Sequence, residues 1–380
     1  MANNNFYQIL GPILENKKIV LYGYGIQGGT AHFVLHRLGY QVYMIVDKDE
    51  KKYGTVIGGT PIASPYDLIY EDADKMYIFV CSDRGRNDVI DTLESMGFDR
   101  DVHFSTIFLE NRFASVEYLD PHLGWSRGKE QIASHAKSGK IKILTLGGST
   151  TDHSFNGFLS WPAFLQKKLD SFYHPGSYHV GNGGISGYCS NEELFELIEY
   201  GMSKEKPDIV ISYSGYNDSA GIMKYQNHSD RLVKILDEMA DIVNHSSNHV
   251  NIQPYYGEEI EDYAQHWLSN MRMMHGICKE FDIKFISILQ PNYLLLDKMD
   301  EVERDICNLG PYKEVMSKVK KFYSAVREKM LSYSWMYDFT HLFDKNDNVY
   351  IDGCHINEEG NEIVAEEIFK MLRSSGYLED

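Results

Sequence analysis

Short apolar runs alternate with amphipathic stretches through most of the chain. The first run, Lys18-Ile19-Val20-Leu21-Tyr22, has the β-branched and aromatic content of a strand. A glycine-rich turn follows, Gly23-Tyr24-Gly25-Ile26-Gln27-Gly28, and then a helical stretch from about Thr30 to Leu38 that Gly39 ends. Val42 to Val46 predicts the next strand, closed by Asp47, and Met76 to Cys81 a further one. A helix is expected from about Asn87 to Met96, with Gly97 beyond it, and one more short strand over Val102 to Ser105. Such alternation predicts a parallel sheet with right-handed crossovers.

Residues 107–140 carry no clear period and are punctuated by Pro121, Gly124 and Gly128, which places a domain boundary there. Beyond it, the apolar runs Ile141 to Leu146, Tyr178 to Val180, Ile209 to Ser212 and Phe285 to Leu289 alternate with the segments Trp161 to Leu169, Asn191 to Tyr200 and Leu232 to Val243. A helix from about Glu358 to Arg373 closes the pattern, with Asn357 as its expected N-cap. The polar stretch His245 to Asp262 is expected to be a loop near a site or a partner surface. The expected organisation is an α/β domain over residues 1–110, a linker over 111–140 and a second α/β domain over 141–380.

Composition narrows the partners. At 380 residues both domains can bury a full core. A net charge of −18 argues against nucleic acid or an anionic membrane surface, because neither phosphate neutralisation nor lipid attraction is available. Cys81, Cys189, Cys278, Cys307 and Cys354 are an odd, scattered set, as reduced thiols are. The first residues have no basic and apolar secretory pattern, and no apolar run nears the ~18 residues of a membrane span. A cytoplasmic location is therefore expected.

Four segments carry chemistry: Gly147-Gly148-Ser149-Thr150, Asn182-Gly183-Gly184-Ile185-Ser186-Gly187, Ser214-Gly215-Tyr216-Asn217-Asp218 and Asp352-Gly353-Cys354-His355. Acyl transfer needs a nucleophile, a base, a group that orients the base, and donors for an oxyanion. Ser149 follows an apolar run at the edge where α/β sites form, with a helix expected soon after it. Asp352 stands one short turn before His355. Taken alone, Ser149-Thr150-Thr151 is also a helix cap, Asp352 and His355 a surface loop pair, and Gly187 a plain turn glycine.

Together, in this order, the segments resemble the four blocks of the SGNH (GDSL-type) hydrolases, over roughly residues 126–380. The resemblance implies a flavodoxin-like three-layer α/β/α domain with a parallel sheet. It implies Ser149, Asp352 and His355 as the catalytic triad, and Ser149, Gly187 and Asn217 as oxyanion donors. The family's G-D-S is Gly147-Gly148-Ser149 here, in a G-G-S-T-T form that looks like a branch found among bacterial surface-polysaccharide proteins. The implied activity is a serine esterase removing a small O-acyl group, O-acetyl, from a carbohydrate. The alternatives are an O-acyltransferase with a sugar hydroxyl as acceptor, and a nucleotide-sugar-binding module with an inactive hydrolase domain.

The turn Gly23-x-Gly25-x-x-Gly28, after a strand and before a helix, with Asp47 ending the next strand, meets the contextual test of a dinucleotide fingerprint. The first domain is a Rossmann-like half domain and resembles those attached to bacterial glycan-modifying enzymes. A nucleotide-sugar, NAD(P), or a structural role without ligand are its three readings. Ester hydrolysis itself requires no cofactor. His153, Trp161, Tyr216 and Gln290 are candidate pocket residues, Cys189 and Cys354 are expected to pack, and Asp218 to brace its loop. The fifteen histidines show no metal spacing, so no metal is expected. The expected partner is a small acylated carbohydrate; the oligomeric state is not readable from the chain.

Overall fold

The computed structural model describes residues 11, 14–82, 86–106, 141–152, 159–198, 206–220, 260–296, 298–310 and 312–378. In chain order the elements are β1 (Lys18–Tyr22), α1 (Ile26–Arg37), β2 (Val42–Val46), β3 (Val56–Ile57), β4 (Thr60–Ala63), β5 (Met76–Val80), α2 (Arg86–Ser95) and β6 (Phe104–Thr106). Then come β7 (Ile141–Gly147), α3 (Trp161–Phe172), β8 (Tyr178–Asn182), α4 (Ser190–Glu196), β9 (Ile209–Ser214), α5 (Tyr216–Ser219) and α6 (Ile260–Glu280). Last are β10 (Lys284–Leu289), α7 (Glu301–Leu309), α8 (Tyr312–Met330), β11 (Met336–Asp338) and α9 (Glu358–Ser374). The expected linker over 111–140 and the segment Leu232 to Val243 lie outside the described residues. The chain forms two compact units: Met1–Glu117 with Leu296–Ser317 and Asn348–Asn357, and Tyr118–Leu295 with Lys318–Asp347 and Glu358–Asp380.

In the first unit the sheet order is β3-β4-β2-β1-β5-β6. All neighbours are parallel except the short β3–β4 hairpin. The parallel strands, counted along the chain, run 3-2-1-4-5, the order of doubly wound sheets whose crevice opens where the direction of winding reverses, here between β1 and β5. Ile19 to Tyr22 of β1 are all buried, as a strand covered on both faces must be. Val20, Ile78 and Val80 pack with Leu93 of α2 and Phe104 of β6 in one apolar cluster. Burying each such side chain is worth roughly 1.5–3 kcal/mol. Helix α1 ends as its sequence predicts, with Gly39 at φ +84° and the Tyr40 N–H returning to the Leu35 carbonyl. Its last turn is tied to two other stretches of this unit. Arg37 donates through Nη1 to Glu303 of α7 at 2.8 Å and through Nε to the Tyr350 carbonyl at 3.1 Å.

In the second unit the order is β11-β10-β9-β7-β8, all parallel. Counted along the chain this is 2-1-3-4-5, the flavodoxin-like order, with its switch point between β7 and β9. All six residues of β9 are buried, so both faces of the sheet centre are covered. Helix α3 packs on β8 and against α9, while α6 packs on β10 and against α4. Trp161, fully buried, anchors α3: its backbone N–H donates to Asn361 Oδ1 of α9 at 2.9 Å, and its indole to Thr151 Oγ1 at 3.2 Å. No described helix is long and apolar enough to cross a membrane.

Candidate active site

Strand β7 delivers Ser149 to the carboxyl edge of the second sheet, beside the switch point. The chain turns at once, with the Gly148 carbonyl accepting the N–H groups of Thr151 and Asp152, both at 3.0 Å. Ser149 is half-buried in this turn. The helix expected soon after it falls on residues 153–158, which lie outside the described residues; the next described helix, α3, begins at Trp161. The Thr151 carbonyl accepts Asn182 Nδ2 and the Ser160 hydroxyl, both at 2.8 Å.

The segment after β8 is fastened to the same turn. Asn182 Oδ1 accepts the Gly184 N–H at 2.9 Å. Asp152 Oδ2 accepts both the N–H (3.1 Å) and the hydroxyl (2.8 Å) of Ser186. Gly187 then stands at φ +84°, a conformation glycine adopts without penalty. These two latches, Asp152 with Ser186 and Asn182 with Thr151, were not foreseen from the sequence.

Asn217 follows β9, at the other side of the switch point. Its Nδ2 donates to the Tyr188 carbonyl at 2.8 Å, next to Gly187. An amide has two N–H groups, so one remains for an oxyanion. A Cβ at position 148 would stand 2.6 Å from this Nδ2. The glycine that replaces the family's Asp thus makes room for the Asn217 amide. Asp218 does brace its loop: its buried carboxylate accepts the Ser190 N–H (3.1 and 3.2 Å) and the Ser190 hydroxyl. Burial pushes this carboxyl up to about 6, with the Ser190 bonds working against the rise. Deeper still, Glu193 accepts the Ser212 hydroxyl, and burial pushes its carboxyl up to about 8.

Asp352 and His355 belong to the first unit, in a hairpin closed by the Tyr350–Ile356 bridge. Asp352 Oδ2 is 2.7 Å from His355 Nδ1. Oδ1 accepts the backbone N–H groups of Cys354 (2.9 Å) and His355 (2.8 Å). Burial alone would raise the Asp352 carboxyl; the His355 ring and these N–H groups outweigh it and hold the carboxyl below its usual range. With Nδ1–H directed at Asp352, the tautomer places the ring's basic lone pair on Nε2. Asp352, Cys354 and His355 also bring an oxygen, a sulfur and a nitrogen within 4.8 Å of one another. The Cys354 thiol is buried and pushed well up by burial and by Asp352, so it packs as a neutral group. Cys189 is buried and shifted the same way.

The remaining candidates fare unequally. Trp161 is core, not pocket wall. Gln290 is buried, Tyr216 is half-buried at the start of α5, and His153 lies outside the described residues. In the first unit, Gly23, Gly25 and Gly28 form the turn from β1 into α1. Asp47 faces that turn, accepting the Tyr24 N–H (2.7 Å), the Asp49 N–H (2.9 Å) and Lys52 Nζ (2.8 Å).

A family model described as GDSL-like Lipase/Acylhydrolase matches residues 143–368. No curated relative matches the chain. Among solved structures it is similar to a protein assigned to the lipolytic G-D-S-L family from Desulfitobacterium hafniense DCB-2, at 16% identity over 61% of this chain and 100% of that one, TM-score 0.37. It is similar also to a GDSL-like lipase from Bacteroides thetaiotaomicron VPI-5482, at 14% identity over 66% and 100%, TM-score 0.39. A third is a catalytic mutant of an acetylxylan esterase from Geobacillus stearothermophilus, at 20% identity over 62% and 95%, TM-score 0.37.

Proposed function

Because the chain belongs to the GDSL-like lipase/acylhydrolase family and is a serine ester hydrolase, we propose that Ser149 is its nucleophile, His355 its base and Asp352 the carboxylate that orients the base, in an esterase that removes O-acetyl from a carbohydrate. The observation that carries the assignment is the 2.7 Å pair of Asp352 Oδ2 and His355 Nδ1, which fixes the tautomer that a base needs. Ser149 Oγ attacks the acyl carbonyl and its proton passes to His355 Nε2. The carbonyl oxygen becomes an oxyanion and meets the N–H groups of Ser149 and Gly187 and the second N–H of Asn217. The tetrahedral species collapses, the sugar oxygen leaves with the proton from His355, and an acetyl ester on Ser149 remains. Water, deprotonated by His355, repeats the sequence and releases acetate.

A small acyl group on a polar carrier is supported by the side chains around the Ser149 turn. Asp152, Asn182, Ser186 and Asn217 are polar, whereas a long acyl chain calls for an apolar wall. The test is hydrolysis of p-nitrophenyl acetate, butyrate and octanoate, followed by acetylated sugars with mass spectrometry of the products. Acetate should be preferred and acetylated sugars deacetylated, and Ser149→Ala should remove nearly all turnover. A fluorophosphonate should label Ser149. Activity retained by the alanine variant sinks the nucleophile. A preference for octanoate sinks the acetyl assignment, and acetyl moved onto an added sugar acceptor would make the enzyme a transferase.

A further inference from the structure

The glycines of the β1–α1 turn are not all there for the same reason, and the difference points to a ligand. A cavity of about 550 Å³ opens at the carboxyl edge of the first sheet, between β1 and β5, where the strand order reverses. Tyr22, Gly25, Gln27, Asp47, Ser82 and Asp88 are among its lining residues. A Cβ on Gly28 would stand 2.2 Å from the Gly23 carbonyl oxygen, so packing of α1 against its own turn requires that glycine. Gly25 is different. Its φ is −94°, open to any residue, and a Cβ there would meet nothing within 4 Å. The fold has no use for a glycine at 25, yet this is the residue where α1 meets the cavity.

Three further features belong to residues that line this space. Gly25 is the N-cap of α1 and has no side chain to satisfy the first N–H groups of this 12-residue helix, whose positive end favours an anion. Tyr22 is 1% exposed, and its hydroxyl has no hydrogen-bond partner among the described residues. An unpartnered buried hydroxyl is costly unless something else satisfies it. Asp47 is tied to the turn through the Tyr24 N–H. Its carboxylate offers about four lone-pair sites, three of which are taken, so roughly one is left for a donor.

We infer that this cavity binds the ribose and diphosphate of a nucleoside diphosphate, with the phosphates at the N-terminus of α1, close against Gly25, and a ribose hydroxyl donating to Asp47. The negative Asp47 disfavours a ribose that carries its own phosphate. The site stands apart from the esterase reading, because nothing in it depends on Ser149.

Calorimetry on the full chain with ADP, UDP, NAD⁺, NADP⁺ and UDP-glucose tests it. At least one ligand with an unphosphorylated ribose should bind, and whether NAD⁺ or UDP-glucose binds more tightly tells which source of the diphosphate the cavity takes. NADP⁺ should bind at least about tenfold more weakly than NAD⁺, a difference that Asp47→Asn should narrow. Gly25→Val should melt with the wild type yet lose at least about tenfold in affinity. Gly25→Ala is the smaller change to use if the valine variant melts early. No heat from any of the five at millimolar concentration overturns the inference, as does affinity unchanged in the Gly25 variants.

Discussion

Asp352 gives one carboxylate oxygen to the His355 ring at 2.7 Å and the other to the backbone N–H groups of Cys354 and His355. The carboxylate therefore fixes both the ring and the chain that carries it. Asp352→Ala should lower kcat on the order of 10³- to 10⁴-fold with KM little changed, since the orienting role matters most as the imidazolium forms. Steady-state kinetics on p-nitrophenyl acetate checks this; a loss confined to KM would remove Asp352 from the triad.

The same carboxylate makes stability depend on acid. Its folded pKa lies below its unfolded one, so its contribution is fully present above about pH 3.9 and is lost as pH falls through the lower folded value. Urea unfolding of the wild type and of Asp352→Asn should differ most near neutral pH and converge in strong acid. A difference that grows on acidification would contradict the sign.

Gly148 and Asn217 should behave as one unit. Asn217→Ala should lower kcat about a hundredfold by removing one oxyanion donor. Gly148→Ala puts a methyl 2.6 Å from the Asn217 amide nitrogen and should cost a similar factor by displacing it. In a double-mutant cycle the second substitution should then add little to the first. Fully additive losses would mean that Gly148 matters for another reason.

Glu193 sets a pH slope of the opposite sense. Burial raises its carboxyl to about 8, so the folded chain holds a proton that the unfolded chain releases above about pH 4.3. Its effect is to lower stability as pH rises from that value toward 8. Glu193→Gln should flatten the fall in Tm across this range, read by calorimetry at fixed ionic strength. A slope unchanged by the substitution would assign it to other groups, with Asp218 next in line because its rise reaches about 6.

Arg37 and Glu303 form a nearly buried pair, with side chains 12% and 5% exposed. Arg37→Ala leaves the Glu303 carboxylate without its guanidinium and should cost about 3 kcal/mol of stability. It also releases the Tyr350 carbonyl, two residues before Asp352, so kcat should fall with it. Denaturation and kinetics on the same preparation test both; lost stability with kcat unchanged would confine Arg37 to the fold.

The strands of both sheets were legible because buried parallel strands are near-continuous apolar runs, and β1, β2 and β7 lie within a residue of where those runs put them. The Asp352–His355 pair was legible because its partners are three residues apart. The long helices α6 and α8 went unread because polar residues interrupt their apolar positions, although Gly310 and Pro311 stand directly before α8. The β3–β4 hairpin was hidden by its brevity, at two and four residues. Asp152 and Ser186 escaped because their partnership spans 34 residues of chain and leaves no local spacing to find.

The grip of Arg37 on the Tyr350 carbonyl has a consequence for modularity. The family match begins at residue 143 and contains every motif of the hydrolase. A chain started there would keep the letters Asp352 and His355 but lose the helix that clasps the hairpin bearing them. The stretch that the family match covers thus includes a hairpin held in part by a residue that lies more than a hundred positions before the match begins.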